Sequence, residues 1–415
     1  MSYRREPGTG CRQSYGPRSM VVGPMGRRVP EQGLDGRWSA VTCLRVAFLL
    51  EQPWHRVPGG TAVAAVESAR ALDEHNDVDL LGITARHRST DLPPLLFGPG
   101  SPDHLSLVSS VLPRSLLYEA WHLLGRPRVD RLVRRSGWAP DVVHASGGAV
   151  PATRSPLVAT VHDVAWRHHP GASTRRGRRL FEGWLSDARR ADRIVCPSEA
   201  TRSDLLEAGF DGDRIRIVPL GVGPTDVEPG LPSQLRARHG LEGPFVLWVG
   251  TLEPRKNLDR LVAAMSTAPL SEVPLVLVGP DGWRIDVART VAPLGERAVV
   301  VGSVSEVEKR AWYEAADVFC LPSLHEGFGL TVLEAMAHGV PVVTSAGTAT
   351  EEVAGDAGLT VDPTDKWAIA GALHAVLDDG KLAARLADAG RIRAASRRWS
   401  DTADGLIAVY REVAD

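Results

Sequence analysis

Glu326 and Glu334 stand eight residues apart, with Gly327-Phe328-Gly329-Leu330 directly after the first. Before them, the apolar run 316–321 reads as a buried strand, and Pro322-Ser323 ends it. Gly327 and Gly329 carry no Cβ, so backbone there can pass close to a ligand. A helix is expected to start near Leu330. Its free N–H groups and positive dipole end would then face the turn and make an anion site. Glu326 would stand in the mouth of that site and Glu334 about one turn into the helix. A carboxylate beside an anion site suits hydroxyl donors rather than the anion. The pair therefore points to a ligand that combines phosphate with sugar.

Two glutamates at this spacing would, by themselves, fit a surface helix with a solvated Glu334. Here they lie within Pro322-Ser323-Leu324-His325-Glu326-Gly327-Phe328-Gly329-Leu330, and Gly339-Val340-Pro341-Val342-Val343 follows. This segment resembles the retaining glycosyltransferases of the GT-B fold, specifically family 4, the glycosyl transferases group 1, and within it the mannosyltransferase-like members. The resemblance implies an α/β protein with two Rossmann-like domains facing across a cleft and a C-terminal helix crossing back to the first. It also implies a nucleotide diphosphate sugar as donor, with no cofactor and no catalytic metal. Basic side chains and helix N-termini would neutralise the diphosphate instead.

Further residues match the family. Lys256, one of four lysines in the chain, corresponds to its diphosphate-binding lysine, with Arg255 beside it. Thr251 stands where many relatives carry another arginine. His162 and Asp163 follow the strand at 157–161 and match the segment that faces the donor sugar. Gly59 and Gly60 form a loop toward the diphosphate or acceptor, Gly60 being the closer candidate. Phe328, Gly329 and Leu330 would offer N–H groups to the diphosphate, with Gly327 in the same turn. Val304 falls where the family's backbone meets the nucleobase. Ser198 opens a helix at the cleft, and a simple N-cap is its other reading. Glu352 matches a segment taken as structural. By the resemblance, Glu326 binds donor-sugar hydroxyls and positions the ring, while Glu334 holds the ribose. The acceptor hydroxyl attacks from the side of the departing diphosphate, so configuration at the anomeric carbon is retained.

The elements that must position these residues can be read in order. Residues 1–42 are rich in Arg, Gly and Pro, lack a sustained apolar period and read as a disordered extension or an early start codon. A strand at 44–50, a Gly-rich turn and a helix from 62 to 74 open a Rossmann-like half, 43–222. Further strands are expected at 79–83, 141–144, 157–161, 193–196 and 215–222. Asp77-Val78-Asp79 has the form of a metal motif but lies at a strand start. Residues 223–240 read as linker, 241–398 as the nucleotide-sugar-binding domain and 399–415 as the bracing helix. Strands of the second half are expected at 245–250, 275–279, 298–302, 316–321 and 340–344.

A length of 415 residues favours two or three domains, and a net charge of −2 gives no basis for nucleic-acid binding. Four cysteines without short paired spacing argue against a disulfide framework or zinc knuckle. Without a membrane-length apolar run, a cytoplasmic protein is expected. Two Arg-dense stretches, at 126–135 and 175–193, lie near Trp121, Leu123, Leu124, Phe181, Trp184 and Leu185. Such faces suit peripheral contact with an anionic membrane, or plain solvation. The donor expected first is GDP-mannose, and the acceptor a glycan, a glycolipid or a small-molecule hydroxyl. Rival readings are a GT-B enzyme without transfer activity, such as a nucleotide-sugar epimerase, and a silent binding subunit of a glycan-assembly complex.

Overall fold

The structure, a computed structural model, describes residues 43–414 apart from 56, 89, 98–104, 135, 136 and 173. The extension 1–42, Cys11 within it and Arg135 lie outside the described residues.

Short apolar strands alternate with helices, and this places each strand in a parallel sheet covered on both faces. The first sheet holds β1 (Leu44–Leu49), β2 (Val78–Thr84), β3 (Leu107–Ser109), β4 (Val142–Ala145), β5 (Leu157–Thr160), β6 (Arg193–Cys196) and β7 (Ile215–Ile217). Their order is β3-β2-β1-β4-β5-β6-β7, and every pairing is parallel. The second sheet holds β8 (Val246–Val249), β9 (Leu275–Val278), β10 (Ala298–Gly302), β11 (Val318–Leu321), β12 (Val342–Ser345) and β13 (Leu359–Val361). It runs β10-β9-β8-β11-β12-β13, again all parallel. The fold is thus the expected pair of doubly wound α/β domains.

In each sheet the strand order reverses once, between β1 and β4 and between β8 and β11. Ligands of such sheets bind beyond the carboxyl ends of the strands at that reversal. The segments emerging there are 52–55, 57–60 and 146–147 in the first domain, and 251–257 and 322–329 in the second. Every residue of the Glu326 turn is therefore placed by topology.

The last helix, Trp399–Ala414, crosses back to the first domain. Its Ala403, Leu406, Ile407, Val409 and Tyr410 pack with Val46, Phe48, Val142, Val158 and Val195. At the crossing, Val222 N donates to Arg397 O at 2.9 Å. A Cβ on Gly221 would lie 2.3 Å from the Trp399 nitrogen, so two chain segments cross where only glycine fits.

Three sequence expectations change. The strands β3 and β13 were not anticipated; both are three residues long, at sheet edges, and partly exposed, so they carry no apolar run. The expected strand 215–222 ends at Ile217. Within the linker segment, Leu231–Arg238 form a helix, and Leu235 is buried in the second core.

Candidate active site

The helix Leu330–Ala337 begins where the sequence places it, and its N-cap Gly329 has φ 111°, a left-handed conformation that favours glycine. No side chain caps this helix. Across the cleft the helix Gly60–Glu74 also starts without a side-chain cap. A Cβ built on Gly60 would lie 3.6 Å from Leu330 Cδ1, so the two helix starts face each other. By contrast, the helices after Ser198, Ser305 and Thr348 are capped by those side chains. Two opposed, uncapped N-termini bring two sets of unpaired N–H groups and two positive dipole ends to one place.

The two turn glycines serve different ends. Gly329 supplies the left-handed φ. Gly327 was expected to admit a ligand, but it admits the other domain: a Cβ there would lie 1.9 Å from His162 O. Gly327 O accepts hydrogen bonds from Ser198 Oγ at 2.7 Å and Thr201 Oγ1 at 3.2 Å. Ser198 also caps its own helix, accepting from Thr201 N, and is buried. Ser198 is therefore a cap and an interdomain tie, not an open cleft donor. Glu352 reinforces that tie, since its carboxylate accepts from Glu199 N at 2.9 Å and Ala200 N at 2.7 Å.

Glu326 is buried rather than standing in an open mouth. Its Oε1 accepts from Lys256 Nζ at 2.6 Å and Ser323 Oγ at 2.7 Å, and its Oε2 from Arg255 Nη1 at 2.7 Å. Burial alone would raise its pKa. The adjacent Arg255 and Lys256 outweigh burial and hold the carboxyl at about 2. Arg255 is forked further, to Glu253 Oε1 at 2.6 Å and His325 O at 2.6 Å. Burial opposes its charge, while Glu326, Glu253 and Asp163 keep it protonated. Most of the Arg255 donors are thus taken by protein. Lys256 has three donors and shows one bond, which leaves two for a ligand. The two loops are zipped by Leu324 N donating to Arg255 O at 2.9 Å. Asn257, at φ 57°, ties its loop to the Glu326 turn and to the segment after β13 by donating to Pro322 O and Pro363 O.

Glu334 lies at the helix face toward the helix Glu306–Ala315. It accepts from Lys309 Nζ at 3.0 Å and from Tyr313 OH at 2.8 Å. Two of the four lysines in the chain therefore meet the two motif glutamates. Each Glu334 oxygen has one partner, so acceptor capacity remains. Val304, half-buried, sits in the turn that leads into the same helix and packs on the second core. Phe328 is buried, with the Arg397 guanidinium 5.9 Å from its ring centre.

On the opposite wall His162 Nε2 donates to Ser146 O at 2.9 Å, so in the neutral ring Nδ1 is the acceptor nitrogen. Burial lowers its pKa against the raising effects of Ser146 O and Asp163, and the ring is neutral at pH 7. Asp163 Oδ1 accepts from Ala165 N at 3.0 Å and so shapes the turn after His162. Gly147 must be small here, because a Cβ would lie 3.0 Å from the His162 ring. Gln52 fixes this turn by donating to Ser146 Oγ at 3.0 Å and Gly147 O at 2.7 Å. Gly59 and Gly60 are not crowded by protein, so any demand for glycine there comes from what enters the cleft. Residues missed from sequence are thus Glu253, Lys309, Tyr313, Gln52 and Ser146. Only Lys309 carried a signal, as a rare lysine.

The Asp77-Val78-Asp79 segment sits at the amino end of β2, away from the cleft. Arg411 pairs with Asp77 and Trp138 Nε1 donates to Asp79 at 2.7 Å. Cys196 and Cys320 are buried thiols outside any disulfide. Trp121 and Leu185 are core residues rather than surface anchors, whereas Leu123 and Leu124 are exposed.

Comparison with known proteins adds to this geometry. Residues 58–226 match the family described as Glycosyltransferase Family 4, and residues 234–393 match Glycosyl transferases group 1. The chain is 34% identical over 406 residues to D-inositol 3-phosphate glycosyltransferase of Acidothermus cellulolyticus, covering 88% of each. It is 30% identical to O-antigen chain mannosyltransferase B of Escherichia coli, covering 74% of this chain and 84% of that one. Sucrose-phosphate synthase of Thermosynechococcus elongatus superposes with a TM-score of 0.68 at 22% identity, covering 89% of this chain and 98% of that one. HepE of Anabaena, solved with UDP-glucose, gives a TM-score of 0.68 at 18% identity, covering 89% and 100%.

Proposed function

The chain belongs to the glycosyl transferases group 1, within glycosyltransferase family 4, and from that premise we propose that it moves a hexose from a nucleotide diphosphate sugar to a hydroxyl acceptor, with retention and without a metal. The observation that carries the reading is the meeting of two uncapped helix N-termini beside Lys256 and between two fixed carboxylates.

In this reading the helix starts at Gly60 and Leu330 and the free Lys256 donors hold the diphosphate and stabilise it as it leaves. Arg255 organises the wall more than it contacts the donor, since its donors are held by Glu253, Glu326 and His325. Glu334, fixed by Lys309 and Tyr313, accepts the ribose hydroxyls, and the turn at Val304 borders the base. Glu326 and the Nδ1 of His162 accept hydroxyls of the donor sugar from opposite walls. The glycosidic C–O bond to the diphosphate breaks, the acceptor oxygen bonds to the anomeric carbon on the same face, and the acceptor proton passes to the leaving phosphate oxygen. The residues need supply no covalent nucleophile.

GDP-mannose is the first donor to test, because the His162 and Lys256 segments look most like mannosyltransferase-type sequences. The acceptor is a glycan, a glycolipid or a small-molecule hydroxyl. Among the described residues no helix is long and apolar enough to cross a membrane. Exposed Leu116, Leu123, Leu124 and Leu180 beside the Arg-dense helices support peripheral contact with an anionic bilayer.

A panel of nucleotide sugars, scored by nucleoside diphosphate release and by proton NMR of the transferred sugar, tests the reading. Turnover of one donor with the anomeric configuration kept is expected. An inverted product, or an epimerised donor without transfer, would overturn it.

A further inference from the structure

Directly before Glu326, the side chain of His325 crosses the domain boundary. It meets Asp204 of the helix Glu199–Glu207 and His168 of the helix Ala165–His168, both in the first domain. We infer that His168, Asp204 and His325 form a binding site for a divalent transition-metal cation of the zinc type, and that the bound ion latches the two domains together.

The ligand atoms of the three residues all lie within 4.8 Å of one another. His168 Nε2 is 2.7 Å from Asp204 Oδ1, and His325 Nε2 is 3.2 Å from Asp204 Oδ2. The two imidazoles stack with centroids 4.7 Å apart and planes 20° from parallel, so both present Nε2 to one carboxylate. Asp204 Oδ2 and His325 Nε2 are buried atoms that face each other at 3.2 Å without the alignment of a good hydrogen bond. With Nε2 unprotonated both atoms are lone-pair donors, and a cation shared with His168 would satisfy them together.

The donor set selects the ion. Two imidazole nitrogens and one carboxylate oxygen suit zinc, cobalt or nickel, whereas calcium and magnesium take oxygen ligands. Zinc–nitrogen bonds of about 2.0–2.1 Å require the two stacked rings to swing out of parallel, so that both Nε2 lone pairs meet at the ion. His168 is part-exposed, which gives an entry path and leaves a fourth position for water. The nearby Arg255 charge is already balanced by Glu326 and Glu253.

The consequence follows from position. His325 O holds Arg255 Nη1, and Arg255 holds Glu326. An ion bound to His168, Asp204 and His325 ties that turn to the first domain and resists cleft opening, which donor entry and product release need. The ion is inhibitory, not catalytic.

The test is titration of untagged full-length protein with Co²⁺, then Zn²⁺. One equivalent of Co²⁺ with nitrogen–oxygen ligand-field absorption, displaced by Zn²⁺, is expected. His168→Ala, at a part-exposed site outside the donor machinery, should weaken the affinity at least 10-fold. Its turnover in chelator should match that of the parent, and Asp204→Asn should also lose the ion. Zn²⁺ should slow the parent and not His168→Ala. Absence of a bound equivalent, a thiolate charge-transfer band, or unchanged affinity in both variants would overturn the site. Stoichiometric binding without slowed turnover would overturn the latch. Only the turnover measurement rests on the glycosyl-transfer reading; the binding measurement stands if that reading fails.

Discussion

The two walls of the cleft hold their polar groups by opposite means. The second domain uses charge: Glu326 lies among Arg255, Lys256 and Ser323, and Glu334 between Lys309 and Tyr313. The first domain uses neutral groups and backbone: His162 hangs from Ser146 O, Gln52 braces that turn, and the Gly60 helix offers bare N–H groups. A buried charge network keeps its geometry without a ligand, but losing one member leaves the others unpaired. A wall built of backbone tolerates side-chain loss and depends on shape. The difference predicts which substitutions damage stability as well as rate.

The largest effect belongs to Glu326. Glu326→Ala should lower kcat by a factor on the order of 10² or more, as when a transition-state contact is lost. It should also cost about 3–5 kcal/mol of stability, because Arg255 and Lys256 would stay buried without their shared carboxylate. Kinetics and thermal melting read both. An unchanged melt would mean that the network does not support the wall. Next comes Glu334→Ala, with a loss in kcat/KM of about 1.5–3 kcal/mol carried mainly by donor KM. A loss confined to kcat would move Glu334 to the reacting end of the donor. On the opposite wall, Gly60→Ala should leave stability within about 0.5 kcal/mol, since its Cβ would meet only ordinary contact, yet raise donor KM. A lost fold with intact KM would make Gly60 structural.

Acid titration gives a smaller signal with a fixed sign. The Glu326 pKa is depressed in the folded protein, so its contribution is full above the ordinary carboxylate range. It should vanish as pH falls from 4.5 toward about 2. Melting points of the parent and Glu326→Gln should therefore converge in that window. Divergence on acidification would contradict the ion pairing. The smallest expected effect is none: enzyme held in excess chelator should turn over as fast as enzyme supplied with magnesium. Loss restored by magnesium or manganese would end the metal-independent reading.

The legibility of these walls differs for the same physical reason. Buried parallel strands appear as apolar runs, and the Glu326 turn carries its glycines and helix start within one contiguous segment. That wall could be read directly. Edge strands β3 and β13 could not, because three partly exposed residues leave no period to detect. The partners that fix the glutamates also escaped. Ser323 and Glu253 act within their own loops, where no period marks a side chain's direction, and Lys309 reaches Glu334 from 25 residues away. Gly327 was read as space for a ligand, whereas the space is filled by His162 O of the other domain. Ser198 shows the same limit: the cap was legible, but its bond to Gly327 O exists only once the domains meet.

The central claim is that Glu334 serves the nucleotide and Glu326 the sugar. Titrating the nucleoside diphosphate of the preferred donor, which lacks the sugar, into the parent and both alanine variants by calorimetry tests it most directly. Circular dichroism confirms the fold of each. The account predicts that Glu334→Ala weakens binding by about 10-fold or more. Glu326→Ala should bind at least as tightly as the parent, because Lys256 is released from its 2.6 Å contact. Weak binding by Glu326→Ala with full binding by Glu334→Ala would contradict the assignment.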